Sequence, residues 1–137
     1  MNPIELELSP FQKALQRLEE GYVRYTQDVS DTQIRDGLIQ RFEFTYDISH
    51  KMLKRYMEMA SPTPEMYDAL PFADLIRSGN EQGLLRSDWT RWKLFRDMRG
   101  KTSHTYDEAV ALAVVAEIPD FIEEAKFLLA QLAASVG

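Results

Sequence analysis

Arg99-Gly100-Lys101-Thr102-Ser103-His104-Thr105-Tyr106-Asp107 is the stretch from which the fold is read, because it joins two helical patterns with no strand signal between them. Gly100 predicts a helix stop, in the left-handed conformation that glycine alone adopts cheaply. Thr105 or Ser103 is the expected N-cap of the helix that follows. The stretch holds one of the chain's two histidines, with an arginine five positions before it and a tyrosine two positions after it. It reads as a helix–turn–helix corner on which Arg99, His104 and Tyr106 cluster.

The helices on either side follow from apolar spacing. Upstream, Ser87-Asp88-Trp89 predicts a helix start, with Leu94, Phe95 and Met98 inward and an end at Gly100. Downstream, Asp107 and Glu108 suit a first turn, where the helix dipole favours acids. Ala109, Leu112, Ala113 and Ala116 continue that helix, and Pro119 predicts a kink or a two-helix junction near Ile118. Phe121, Ile122, Ala125, Leu128, Leu129 and Leu132 form the last amphipathic stretch.

The first half is also helical. Residues 1–8 read as a frayed lead-in. Ser9-Pro10-Phe11-Gln12 predicts a start with serine as N-cap and proline at the first helical position. Phe11, Leu15, Leu18, Tyr22 and Tyr25 then mark one face to about Asp28, with Gly21 costing roughly 1 kcal/mol against alanine. Asp31 caps the second and longest helix, to about Met59, whose stripe is Ile34, Leu38, Phe42, Tyr46, Leu53 and Tyr56. Ser61-Pro62-Thr63-Pro64 ends it. A short third helix is expected from near Pro71 to Gly83, burying Phe72, Leu75 and Ile76. No alternating run and no hairpin turn is present. The expectation is all-α: an up-and-down four-helix bundle with an additional short helix, one domain over 1–137 with its core at about 9–134.

Bulk composition narrows the function classes. At 137 residues, 45% hydrophobic and 28% charged, the chain reads as one globular domain. The absence of cysteine rules out disulfides, a thiolate zinc site and a cysteine nucleophile. It is compatible with the cytoplasm, the expected compartment. No apolar run approaches the roughly 18–20 residues of a membrane span, and the acidic N-terminus lacks the basic region of a secretory signal. A net charge of −6 argues against a nonspecific nucleic-acid coat, though a small cationic cleft on an acidic body is compatible with it.

General catalytic and phosphate-binding motifs are missing, and no cofactor motif is present. Glu19-Glu20 and Glu123-Glu124 read as solvated faces. Ser103 and His104 are adjacent on a turn and are not expected to face each other. His50 and His104 lack ligand spacing, so no metal site is expected. On the second helix Arg41 falls at the edge of the apolar stripe and Thr45 inside it. Either they belong to an inward-facing cleft, or the arginine snorkels and the threonine bonds to the backbone four residues back. The corner residues stand out. Histidine can take and give a proton near neutral pH, and an arginine fork can hold a phosphate or stabilise a phosphorane. Together these would suffice for metal-free RNA cleavage. The other reading is that Arg99 neutralises a helix C-terminus, His104 caps, and Tyr106 packs.

The corner resembles the Arg-x4-His-x-Tyr motif of the HEPN superfamily in its HepT branch, and the wider chain resembles the nucleotidyltransferase substrate-binding proteins. The resemblance is carried by Ile34-Arg35-Asp36-Gly37-Leu38-Ile39-Gln40-Arg41-Phe42-Glu43-Phe44-Thr45-Tyr46-Asp47, by Leu75-Ile76-Arg77 with Gln82-Gly83-Leu84-Leu85, and by Thr102-Ser103-His104-Thr105-Tyr106-Asp107-Glu108, over roughly 9–134. It implies a HEPN-type bundle acting as a homodimer, with two motif copies facing one cleft. A small nucleotidyltransferase would be the partner in a toxin–antitoxin pair. The bundle would be an RNA-cleaving toxin, silenced by AMP placed on the motif tyrosine. Arg99 and His104 then take the catalytic positions and Tyr106 the AMP-acceptor position, with Arg41, Thr45 and Ser103 supporting the cleft. Two positions depart from the family pattern: Gly100, where many active members carry a polar residue, and His50, where relatives often have tryptophan. Gly100 and the acidic charge motivate a second reading, a non-catalytic substrate-binding subunit of the nucleotidyltransferase. A third is a helical dimer scaffold, docking through the 61–64 loop and an exposed Trp89 or Trp92.

Overall fold

Five α-helices and two 3-10 turns account for most of residues 6–136, the part described by this computed structural model, and no strand occurs among the described residues. The helices are α1 (Ser9–Gln27), α2 (Thr32–Ala60), α3 (Phe72–Glu81), α4 (Trp89–Lys101) and α5 (Glu108–Val136), with 3-10 turns at Pro64–Tyr67 and Thr102–His104. Helices α1, α2, α4 and α5 pack as the up-and-down bundle, and α3 is the additional short helix, lying against α4. No helix among the described residues is long and apolar enough to cross a membrane.

Capping explains where the helices begin. The Asp31 carboxylate accepts the backbone N–H groups of Gln33 and Ile34 at 3.0 and 3.1 Å, and Asp88 accepts that of Thr90. The start of α1 differs from expectation. Ser9 is already helical and its hydroxyl does not cap. Glu7 does the accepting instead, from the Ser9 backbone N–H at 2.9 Å and from the Ser9 hydroxyl. Those bonds hold the Glu7 carboxyl below the usual glutamate range. The expected frayed lead-in over 1–8 falls partly outside the described residues. Within it, residues 6–8 are not helical, and Leu6 and Leu8 rest on the core.

The corner differs more. Gly100 is not a left-handed stop: α4 runs through it to Lys101 and tightens into the 3-10 turn. The Thr102 hydroxyl and backbone N–H both donate to the Arg99 carbonyl, so the helix end is satisfied without a left-handed residue. The left-handed glycine is Gly83, φ 75°, beyond α3, where Leu84 N–H returns to the Gly79 carbonyl at 2.9 Å. Neither Thr105 nor Ser103 caps α5. The cap is Asp107, whose carboxylate accepts Ala109 N–H at 2.9 Å. Pro119 neither breaks nor divides α5, which is continuous. An interior proline costs about 3 kcal/mol. Val115, Ile118, Phe121 and Ile122 are buried on both sides of it, and their packing outweighs that cost.

The core is centred where α2, α4 and α5 meet. Phe42, Tyr46, Trp92, Phe95 and Phe121 form a continuous aromatic cluster, with Phe42–Phe121 at 5.2 Å and Phe95–Phe121 at 5.3 Å, both edge-to-face. Trp92 is fully buried and so is not a docking surface. Phe72 and Leu94, expected in the core, are only partly buried at its margin. The 61–64 break leads into a 3-10 turn that buries Tyr67. Glu124 is not on a solvated face. It is wholly buried, and its carboxylate accepts the Arg86 backbone N–H at 2.8 Å, tying the α3–α4 connection down onto α5.

The helical conformation of Gly100 sets the sign of a substitution there. A Cβ at this position meets no neighbouring atom within 4 Å. Gly100→Ala should therefore stabilise the protein by about 0.5–1 kcal/mol, read as a raised midpoint in thermal or urea unfolding. A left-handed glycine would give the opposite sign.

Candidate functional site

Arg99 lies in the last turn of α4, and its guanidinium crosses the seam to α2. Nε and Nη2 donate to the two carboxylate oxygens of Asp47 at 2.8 and 3.0 Å. Glu43, one turn earlier on α2, stands 3.5 Å from Nη2. Nη1 donates to the Thr102 hydroxyl at 3.2 Å. The guanidinium is thus fixed by a two-toothed grip on one side and by the 3-10 turn on the other. Asp47 and Glu43 hold its proton more firmly than usual. The side chain is 31% exposed, and Nη1 keeps one N–H beyond the one it gives to Thr102.

The residues after the turn stand in solvent. Ser103 and His104 are exposed on the 3-10 turn, and Tyr106 is 88% exposed. The His104 and Tyr106 rings lie edge-to-face with centroids 6.2 Å apart. Since Asp107 caps α5, the imidazole is not used in capping, and the phenol does not pack on the core.

Arg41 and Thr45 are on another face of α2. Arg41 donates to the Arg17 carbonyl of α1 at 2.7 Å. Thr45 is buried and donates to the carbonyls of Arg41, four residues back, and of Ala14 in α1. Both fasten α1 to α2 and do not join Arg99. The α2 residues that do join it are Asp47 and Glu43, which sequence reasoning missed. Their signal was a pair of carboxylates four apart on one helical face, and such pairs more often only meet solvent.

A second ion pair braces the corner. Arg35, 5% exposed near the start of α2, grips Glu108 at the start of α5 with Nη1–Oε1 at 2.6 Å and Nη2–Oε2 at 3.0 Å. Hydrogen bonding to Arg35 holds the Glu108 carboxyl below the usual range, opposed by a smaller desolvation effect. Both ends of the Thr102–Asp107 segment are thereby tied to α2, through Arg99 and through Glu108. No group of three or more metal-ligating side chains gathers among the described residues.

The chain and its fold have known counterparts. A family model described as nucleotidyltransferase substrate binding protein like matches residues 6–134. The chain is 45% identical over 104 residues to the probable ribonuclease HepT of Haemophilus influenzae, spanning 76% of this chain and 70% of that protein. The solved structure of Haemophilus influenzae HI0074, described as the fold of a substrate binding domain of a nucleotidyltransferase, superposes with a TM-score of 0.86. It shares 36% identity and covers 93% of this chain and 99% of its own. A Thermus thermophilus protein of known structure superposes with a TM-score of 0.69 at 31% identity, covering 89% of this chain and 98% of its own.

The Arg35–Glu108 pair makes stability depend on acid. A carboxyl whose folded pKa is depressed contributes stability above its unfolded value, near about 4.3, and loses it as the pH falls through the folded value. Glu108→Gln should lower the melting temperature at neutral pH. The gap from wild type should close as the pH drops from about 5 to about 3, read by melting curves across that range.

Proposed function

Because the chain belongs to the nucleotidyltransferase substrate binding protein like family, we propose that it is the ribonuclease toxin of a nucleotidyltransferase–HEPN pair, cutting RNA without a metal and silenced by AMP transfer to Tyr106. The observation that carries this reading is the pairing of an anchored Arg99 with an uncommitted, exposed His104 and Tyr106. His104 takes the proton of a ribose 2′-hydroxyl, and the 2′-oxygen attacks the adjacent phosphorus. The N–H that Arg99 has left on Nη1 stabilises the charge on the five-coordinate phosphorus. The P–O5′ bond breaks, the 5′-oxygen takes a proton, and a cyclic phosphate is left on the upstream fragment. Two subunits of a homodimer would place their motifs on one cytoplasmic cleft.

Tyr106 suits the acceptor role because its oxygen is accessible to a second active site. AMP placed there, with the rings 6.2 Å apart, would crowd His104 and add negative charge where RNA must sit. A specific observation favours the second reading, a non-catalytic subunit that binds the nucleotidyltransferase. Arg99 already faces the carboxylates of Asp47 and Glu43, which offset much of its charge.

The chain expressed alone should slow growth and cut RNA to 5′-hydroxyl ends. His104→Ala should lower the cleavage rate about 100- to 10,000-fold. If the wild type neither cuts RNA nor slows growth, the toxin reading fails and the binding-subunit reading stands.

Co-expression with the nucleotidyltransferase should add whole AMP units to Tyr106, read by intact-mass and peptide mass spectrometry. Tyr106→Phe should remain toxic and unmodified in the same cells. A stable complex without modification would instead mark the chain as a binding subunit.

A further inference from the structure

Asp47, the residue that grips Arg99, is also one end of a groove of about 700 Å³ along α2. Its other lining residues are His50, Lys51, Lys54, Arg55, Glu58 and Met59. Three cations thus fall within five residues of a chain whose net charge is −6. Lys51, Lys54 and Arg55 are three of the ten lysines and arginines that have no carboxylate partner within 4 Å among the described residues, and the three share one face of α2. For Lys51 and Lys54 the cause is local. Asp47 stands one turn before Lys51, where it could pair with it, but both its oxygens are engaged by Arg99. Glu58 is one turn after Lys54 and closes no ion pair with it.

One lining residue, His50, has aromatic and basic neighbours beyond the groove. His50 is half-buried, edge-on to Phe72 at 4.7 Å. Arg96 of α4 lies 5.2 Å above the same Phe72 ring, and Trp89 meets it at 5.7 Å. Burial, then Lys54 and Arg96, push the His50 imidazole toward its neutral form, with Asp47 opposing. The groove therefore combines three cations with one half-buried ring, that of His50, which is backed by Phe72. An extended strand of nucleic acid needs that combination, phosphates on cations and bases against rings.

We propose that this α2 groove is a track for single-stranded RNA, with Lys51, Lys54 and Arg55 holding successive phosphates and leading the strand to Arg99 and His104. The track deepens the ribonuclease reading and rests on it for its direction toward the corner. From Asp47 to Met59 the helix rises on the order of 18 Å, room for several nucleotides, with the three cations on about one turn of it, roughly 6 Å of rise. The net charge of −6 weakens nonspecific attraction of RNA to the molecule as a whole, so binding depends on local cations such as these.

The test uses the full chain in a His104→Ala background, so that RNA survives the measurement. The probe is a fluorescein-labelled, unstructured single-stranded RNA of about 15 nucleotides, followed by anisotropy across a salt series. Lys51→Gln, Lys54→Gln and Arg55→Gln together keep the side-chain stems, and circular dichroism checks the fold. The triple variant should bind about 10-fold or more weakly at moderate salt. The slope of log affinity against log salt should flatten by about 2, near 0.7 for each lost phosphate contact on a single strand. Lys126→Gln, between α5 and α1, should change neither. Unchanged affinity and slope in the triple variant would overturn the track. So would loss of the nucleotidyltransferase complex with RNA binding intact, since the strip would then dock protein. Cleavage by the His104-intact chain is scored separately. RNA held by the groove but never cut leaves the track standing without the ribonuclease reading, and RNA cut normally by the triple variant does the reverse.

Discussion

The two-toothed grip of Asp47 on Arg99 is the constraint on which the corner depends. It closes α2 against the end of α4, and it fixes the plane of the one guanidinium that follows the bundle to the mouth of the site. Its value lies in geometry more than in stability. A pair this exposed is screened by solvent and contributes at most about 1 kcal/mol. A fixed plane, however, holds the donor that Nη1 has left in one orientation, and a fixed donor needs no reorganisation when charge develops on a bound phosphate.

The grip in turn depends on the aromatic cluster one residue away. Tyr46 packs against Trp92 and Phe121 at 6.2 and 6.1 Å, and burial pushes its phenol well above the usual tyrosine range. With Tyr46 pointing inward, the helical turn sends Asp47 to the α2–α4 seam rather than to open solvent. Each fully buried large side chain in the cluster is worth about 1.5–3 kcal/mol, far more than the ion pair. The core therefore sets the register of α2 against α4, and the ion pair inherits it.

Much of the bundle was legible in the sequence, for reasons that are local. The Asp31 cap and the stripes Phe11–Leu15–Leu18 and Leu38–Phe42–Tyr46 depend only on neighbours a few positions away. The illegible features depend on partners far along the chain. Gly100 looks like a stop until Thr102 is seen to satisfy the end of α4. Pro119 looks like a break until the packing around it is counted. Glu124 looks solvated until the backbone of Arg86 arrives 38 residues away in sequence. Within the site, Arg99, His104 and Tyr106 were visible as a spacing, whereas Asp47 needed the packing of α2 on α4. Arg41 and Thr45 line a small cavity between α1 and α2, away from Arg99, because α1 supplies carbonyls that they use.

The clamping of the corner from both ends bears on how Tyr106 can be reached. The backbone before it is a 3-10 turn tied to α4 by Thr102, and the backbone after it is pinned by the Asp107 cap and the Arg35–Glu108 brace. The phenol is thus a rigid post on a folded surface rather than part of a fluctuating tail. An enzyme acting on such a post meets its target ready-made, and turnover follows encounter and docking, with no melting equilibrium to wait for.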